Sequence, residues 1–266
     1  MKKWIQRDLL ILPEWNELCE ASRQALRETD EVFRRIHEVS LNRIDAGLDQ
    51  ALDPPLRFER GIHHALSCKF PPVKQAIELT YARREFAALR ATYRAFEDSL
   101  SGGLGLAASK AAGADGYRVS GVATSADPKG RFVVFPEAEL IAAQLQALDQ
   151  LLRASKDSPH AYRAMIGLVA ITNCHPFSDG NGRVGRIFYN VELAQGAGRP
   201  VAYIPLREFA QFSRGGYLIR VRQAEVRQEW APLAQFLLSI SRVWLMCLRR
   251  DQPVVDEMRA GATLER

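Results

Sequence analysis

One stretch of the chain gathers the residue types that phosphate chemistry uses: His175-Pro176-Phe177-Ser178-Asp179-Gly180-Asn181-Gly182-Arg183-Val184-Gly185-Arg186. Gly180 and Gly182 free the backbone for unusual φ and for close approach to a ligand. The unpaired N–H groups of a helix that starts here point into the same concavity, and helix N-termini of this kind hold phosphate. Arg183 and Arg186 lie three apart, so they share a helix face and both reach one anion. A phosphate cradle beside a carboxylate is the usual setting for Mg²⁺, which takes one or two protein carboxylates plus phosphate oxygens; this assigns Asp179 to the metal. His175, a residue with an ordinary pKa of roughly 6.5, suits proton abstraction from an attacking hydroxyl at neutral pH. Asn181 adds a neutral amide for phosphate or ribose. Plainer uses exist: a buried structural histidine at 175, a helix N-cap at Asp179 that does not exclude metal binding, a structural ion pair at Arg186. A thiol nucleophile at Cys174 would leave the glycines and arginines without employment, so a packed cysteine is expected there.

The elements around this stretch read almost entirely at helical period. Trp15, Leu18, Ser22, Ala25, Thr29, Val32, Ile36 and Val39 recur at spacings of three and four, which predicts one long amphipathic helix over 14–47. Leu79, Ala82, Phe86, Leu89, Tyr93, Phe96 and Leu100 predict a second between Pro72 and Ser101. Residues 101–116 are rich in Gly, Ala and Ser and read as a flexible connection. The Gly103-x-Gly105-x-x-Ala108 within it has no strand before it, so it is no dinucleotide fingerprint. Arg118–Val122 and Arg131–Phe135, around Asp127-Pro128-Lys129-Gly130, read as a β-hairpin. Further helices are expected over 137–153, 160–172, 184–197, 206–213, 217–227 and 230–248.

Composition sets the outer bounds. With 266 residues, 47% hydrophobic and 25% charged, the chain has ordinary globular usage, which excludes disorder, collagen and coiled-coil rods. No uninterrupted apolar run approaches the roughly 18 residues of a membrane span, and the N-terminus lacks a signal-peptide pattern. Four dispersed cysteines without C-x-x-C spacing point to a reducing, cytoplasmic setting, and His63-His64 with Cys68 reads as surface rather than metal site. The net charge of +5 is local: eight arginines against three glutamates fall between Arg183 and Arg227, whereas residues 1–100 balance. Arginine's rigid fork fits phosphate or carboxylate, so a discrete anionic ligand is expected in preference to nucleic acid.

The stretch 175–186 matches the motif H-P-F-x-[D/E]-G-N-G-R-x-x-R of Fic-domain proteins at every defined position, and the chain resembles that family over about 110–248. The resemblance implies an all-α fold, a motif loop between two central helices, and a β-hairpin flap over the site, with Gly116-Tyr117-Arg118 and Phe132-Val133 in the flap region. It divides the chain into an N-terminal helical region of unassigned role (1–105), a Fic core (106–250) and a polar tail (251–266). It implies AMP transfer from ATP to a Ser, Thr or Tyr hydroxyl of a target protein paired with the flap. In that scheme His175 is the base and Mg²⁺ sits on Asp179. Gly180, Asn181 and Gly182 cradle the phosphates, Arg183 holds the β-phosphate and Arg186 the γ-phosphate. Phe177 anchors the loop, and Tyr217 resembles an adenine-contacting aromatic, though a core tyrosine has the same spacing. Transfer of UMP, phosphocholine or phosphate is the rival activity, and a non-enzymatic scaffold the rival class; phosphorylating relatives carry lysine where Gly182 stands. Many members restrain themselves with [S/T]-x-x-x-E-[G/N], whose glutamate pairs with the second arginine. None of the 18 glutamates here precedes Gly or Asn. Arg186 is therefore expected to be free, with restraint coming from a separate inhibitory protein, from nowhere, or from residues 1–100 by another geometry.

Overall fold

The computed structural model describes residues 3–6, 9–45, 56–57, 76–77, 79–124, 129–213 and 215–250; His63, His64, Cys68, Asp127, Pro128 and the tail 251–266 lie outside them. In chain order the elements are β1 (Lys3–Gln6), α1 (Glu20–Asp45), β2 (Leu56–Arg57), β3 (Ala76–Ile77), α2 (Thr80–Asp98), α3 (Leu100–Ala112), β4 (Arg131–Val134), α4 (Ile141–Ala154), α5 (His160–Cys174), α6 (Asn181–Ala197), α7 (Leu206–Phe212), α8 (Gly216–Arg227) and α9 (Ala231–Arg250). The class is all-α, as expected.

Helices apolar on every side must take the centre. Helices α5 and α6 do so as an antiparallel pair, burying Met165, Leu168, Val169, Val184, Ile187 and Phe188. Gly167 makes their contact possible, because a Cβ there would stand 1.9 Å from the Phe188 ring. Helix α1 buries Ser22, Ala25, Thr29, Val32, Ile36 and Val39, most of the stripe expected from periodicity, and packs along α9; it starts at Glu20 and not at 14, Trp15–Glu17 forming a separate 3-10 turn that ends at buried, extended Leu18. Asp30 of α1 also caps α5, accepting from the N–H groups of His160 at 2.9 Å and Ala161 at 2.7 Å. Among the described residues one segment, Ala231–Arg249, is long and apolar enough to cross a membrane by length and composition; most of it is buried within the protein.

One expectation needs correction, and another is met in part. Residues 100–112 are a helix, not a flexible connection. Ser99 caps it by accepting from the Gly102 N–H at 3.1 Å, and Gly113 ends it in the left-handed conformation. Its small residues serve contact: a Cβ on Gly103 would fall 2.2 Å from the Phe96 ring of α2. Packing has overridden weak intrinsic propensity. The flap is met in part: among the described residues, which leave out 125–128, strand β4 is met antiparallel around Ala123↔Val134, through Thr124 N–H to the Val133 carbonyl at 2.8 Å and Phe135 N–H to the Val122 carbonyl at 3.0 Å. The other edge of β4 carries β1, parallel, with Lys3 opposite Arg131 and Gln6 opposite Val134. No periodicity in a four-residue segment announces such a partner.

Candidate active site

The motif loop links α5 to α6. Helix α5 closes at His175, whose N–H reaches the Ile171 carbonyl at 3.0 Å and whose backbone turns left-handed at φ 52°, ψ 57°. For a residue with a Cβ that conformation costs about 1–2 kcal/mol, and it is here that the chain must turn out of the helix. The ring lies against Phe135 of the flap, centroids 3.6 Å apart. Nδ1 is 3.3 Å from the Thr172 carbonyl. The tautomer that satisfies this oxygen carries its proton on Nδ1, which makes Nε2 the basic nitrogen.

Beyond His175 the loop is held from inside. Phe177 is fully buried, as expected for an anchor, and packs against Tyr117. Asn181 is buried too, and its amide is consumed by the loop. Oδ1 accepts from the Phe177 N–H and Nδ2 donates to the Phe177 carbonyl, both at 2.8 Å. Its side chain thus shapes the cradle; what remains for a phosphate is its backbone N–H at the start of α6. Gly180 caps that helix at φ 82°, and a Cβ there would stand 2.3 Å from Ala112 at the end of α3. No other residue meets both demands. Cys174, fully buried, is inert: burial pushes its thiol up to about 12, against the pull of Arg118.

The two arginines differ in their partners. Arg183 donates to the Asp179 carboxylate at 2.7 Å and to the Ala111 carbonyl at 2.8 Å, and Asp179 is 79% exposed. Arg186 is not free. It forms a two-pronged pair with Glu85 of α2, Nε lying 3.0 Å from Oε2 and its Nη2 donating to Oε1. Glu85 is only 3% exposed, and Oε2 also accepts from the Tyr203 hydroxyl at 2.6 Å. Burial, with Glu85 beside it, pushes the Tyr203 phenol well above its ordinary range, so Tyr203 stays a donor. Glu208 of α7 accepts from the Ala82 N–H at 2.9 Å, holding the first turn of α2 and with it Glu85. Residues 1–100 do therefore pair with the second arginine, by a geometry outside the [S/T]-x-x-x-E-[G/N] pattern. Tyr81 stands where that pattern has Ser or Thr, and Phe86 where it has Gly or Asn.

These groups open into a cavity of about 760 Å³ walled by α2, the end of α3, the loop and α7. His175, Asp179 and the 180–183 backbone line it, with Arg84, Lys110, Arg183, Arg186 and Arg207 set against the carboxylates of Asp179 and Glu85. Five cations to two anions favour a polyanionic ligand. Asp179 fits Mg²⁺ as a lone exposed carboxylate at a phosphate cradle, the remaining ligands coming from phosphate and water. Among the described residues no three His, Cys, Asp or Glu side chains converge into a cage that would hold a metal alone. Tyr217 is not among the lining residues; its ring packs against Phe236, behind the cavity and near enough to Arg186 and Glu85 to feel their charges.

The sequence reading placed Arg118 in the flap but missed what it joins, and it missed Glu85 and Tyr203 altogether. Arg118, 93% buried, joins flap to loop: Nε donates to the His175 carbonyl at 2.7 Å, Nη1 to the Ser120 carbonyl at 2.8 Å, and Nη2 to the carbonyl of Pro136, while its own N–H meets the Pro176 carbonyl at 2.9 Å. Glu85 left a signal, a carboxylate on the apolar stripe of α2 between buried Ala82 and Ala88. Such a charge demands a buried cation. Tyr203 left none.

Residues 95–193 match the family model described as Fic/DOC family. No curated protein matches the chain. Among solved structures it is similar to a Fic family protein from Desulfovibrio desulfuricans G20, with 19% identity, TM-score 0.56, and 88% of this chain and 76% of that one covered. It is similar as well to Fic-1 (residues 134–508) from C. elegans, with 15% identity, TM-score 0.52, and 88% and 73% covered. At these identities the shared property is the fold.

Proposed function

We propose that this chain, whose residues 95–193 match the Fic/DOC family model, is a Fic-family protein adenylyltransferase held in a restrained state by its own α2. Fic-domain proteins are transferases that modify proteins with a nucleotide or another phosphate-containing group. The observation that supports the reading is the convergence of His175, the amides of the α6 N-terminus and the arginines on one cationic cavity.

In this scheme the triphosphate of ATP lies along the 180–182 backbone, where preorganised N–H groups stabilise the charge that develops on phosphate oxygens. Asp179 is the residue that would hold Mg²⁺, which supplies charge neutralisation to the phosphates. A target hydroxyl gives its proton to Nε2 of His175 as its oxygen attacks the α-phosphorus. The bond from that phosphorus to the bridging oxygen breaks, AMP stays on the target, pyrophosphate departs, and His175 returns its proton to solvent. Arg183 and Arg186 face the leaving phosphates. Arg186 does so only after letting go of Glu85, whose carboxylate otherwise occupies its fork and repels an incoming phosphate.

The test is transfer from ATP labelled at the α- or the γ-phosphate, with Mg²⁺, using the Glu85→Ala chain and its His175→Ala derivative. Label on protein from the α position alone, lost with His175→Ala, is the expected outcome. Label from the γ position would make the protein a kinase; label from neither, with ATP bound, would make it a scaffold.

A further inference from the structure

His175 is held by contacts of unequal strength. Its backbone leaves α5 in the left-handed conformation, with its N–H bonded to the Ile171 carbonyl and its own carbonyl gripped by Nε of Arg118 at 2.7 Å. That fixes the Cα–Cβ bond and leaves two side-chain torsions to place the ring. One restraint on them is the contact of Nδ1 with the Thr172 carbonyl at 3.3 Å, longer than the roughly 2.9–3.0 Å of a good N–H···O bond and correspondingly weak. A second is Phe135, whose ring centroid stands 3.6 Å from that of the imidazole with 17° between the planes. Most aromatic pairs lie roughly 4.5–7 Å apart, so these two rings are in full face contact. Phe135 has little freedom of its own. It precedes Pro136, which confines its backbone to the extended region. Its N–H donates to the Val122 carbonyl at 3.0 Å, and the Pro136 carbonyl accepts from Nη2 of Arg118, the guanidinium that also holds the His175 carbonyl. The backbones that carry both stacked rings thus hang on one rigid, planar group. Phe135 is only 5% exposed, whereas His175 still lines the cavity.

We propose that Phe135 is the positioning residue of the base: its ring, laid on one face of the imidazole, keeps Nδ1 at the Thr172 carbonyl and thereby keeps Nε2 as the basic nitrogen. The inference rests on the transferase reading for its kinetic consequence, but not for the orientation of the ring. A phenylalanine that merely fills the core gives a different signature, in which stability falls and the histidine is undisturbed.

The experiment follows the imidazole by NMR in full chains carrying isotope-labelled histidine. The unchanged chain is compared with Phe135→Leu and Phe135→Met, which keep apolar bulk and remove the ring, and with Phe135→Tyr, which keeps the ring; helical content checks each fold. His175→Ala assigns the signal among the five histidines. In the unchanged chain the His175 ring protons are expected upfield of their ordinary positions, as protons over an aromatic face are, and the ring nitrogens are expected to show a single tautomer protonated at Nδ1. Phe135→Leu and Phe135→Met are expected to lose both features, and Phe135→Tyr to keep them. In the Glu85→Ala background, transfer from α-labelled ATP is expected to fall at least about tenfold in kcat with Phe135→Leu at unchanged KM for ATP, and to recover with Phe135→Tyr. Unchanged ring signals in Phe135→Leu and Phe135→Met would overturn the proposal, and so would altered signals with an unchanged kcat. A loss confined to stability or to KM for ATP would overturn it as well, making Phe135 a core or nucleotide contact. Altered ring signals with no transfer from any chain, the Glu85→Ala parent included, would overturn the transferase reading and leave the placement of the imidazole by Phe135 intact.

Discussion

Arg183 and Arg186 sit one turn apart on α6, and each is met by a carboxylate, yet the two pairs are different objects. Arg183 meets Asp179 from its own loop, at a site where the carboxylate is 79% exposed. Such a pair is screened by water and salt and contributes about 0–1 kcal/mol, so an arriving phosphate or metal separates it readily. Arg186 meets Glu85 from a helix 101 residues away, with a carboxylate 3% exposed and Tyr203 bonded to it as well. Here neither charge retains much hydration, and separating them leaves one of them stranded. The loop thus has one arginine poised for a ligand and one already engaged by the protein.

That contrast can be attacked from both sides. The largest effect is expected for Arg186→Ala, which takes the paired guanidinium from a carboxylate only 3% exposed: a loss of about 3–5 kcal/mol in denaturant unfolding, with no gain of activity. Glu85→Ala leaves its cation facing the cavity, where water and phosphate reach it. The transfer rate is expected to rise at least about tenfold, equivalent to roughly 1.4 kcal/mol, and a rate equal to that of the unchanged chain would mean that the buried pair restrains nothing. Tyr203→Phe removes one hydrogen bond to a charged group, with an expected loss of about 1.5–3 kcal/mol in stability and a rise in transfer smaller than that of Glu85→Ala. Asp179→Asn should shift unfolding by less than about 0.5 kcal/mol while changing the Mg²⁺ dependence of transfer; a large stability loss would erase the distinction between the two pairs.

The same division marks what could be read in advance. His175 to Arg186 is a contiguous run whose spacing states its own geometry, and the buried faces of α1 and α2 followed from a period of three to four. The helix at 100–112 was missed because glycine and alanine report backbone freedom in a sequence, whereas here they report close contact with Phe96 and with the motif loop at Ala112. The free state expected of Arg186 failed for a related reason. Its partner lies on another helix in a sequence context that matches no motif, and only a charge on an apolar stripe betrayed it. The role of Asn181 was displaced from ligand to loop because a buried amide first satisfies the nearest backbone, here Phe177. Pairing of β1 with β4 depends on main-chain groups that every residue carries, so no side-chain pattern records it.

One guanidinium joins the flap to the motif loop. Arg118 grips the carbonyls of Ser120 and Pro136 on the flap side and that of His175 on the loop side. A force on the flap is therefore passed to the base through a single rigid, planar group. In the proposed reaction a target that seats the flap poorly would displace the histidine that takes up its proton, and at a reacting centre a displacement near 1 Å can cost about a hundredfold in rate. Under that proposal, discrimination among targets would fall on kcat and not on KM alone: a protein docked in the wrong shape would be held, and left unmodified.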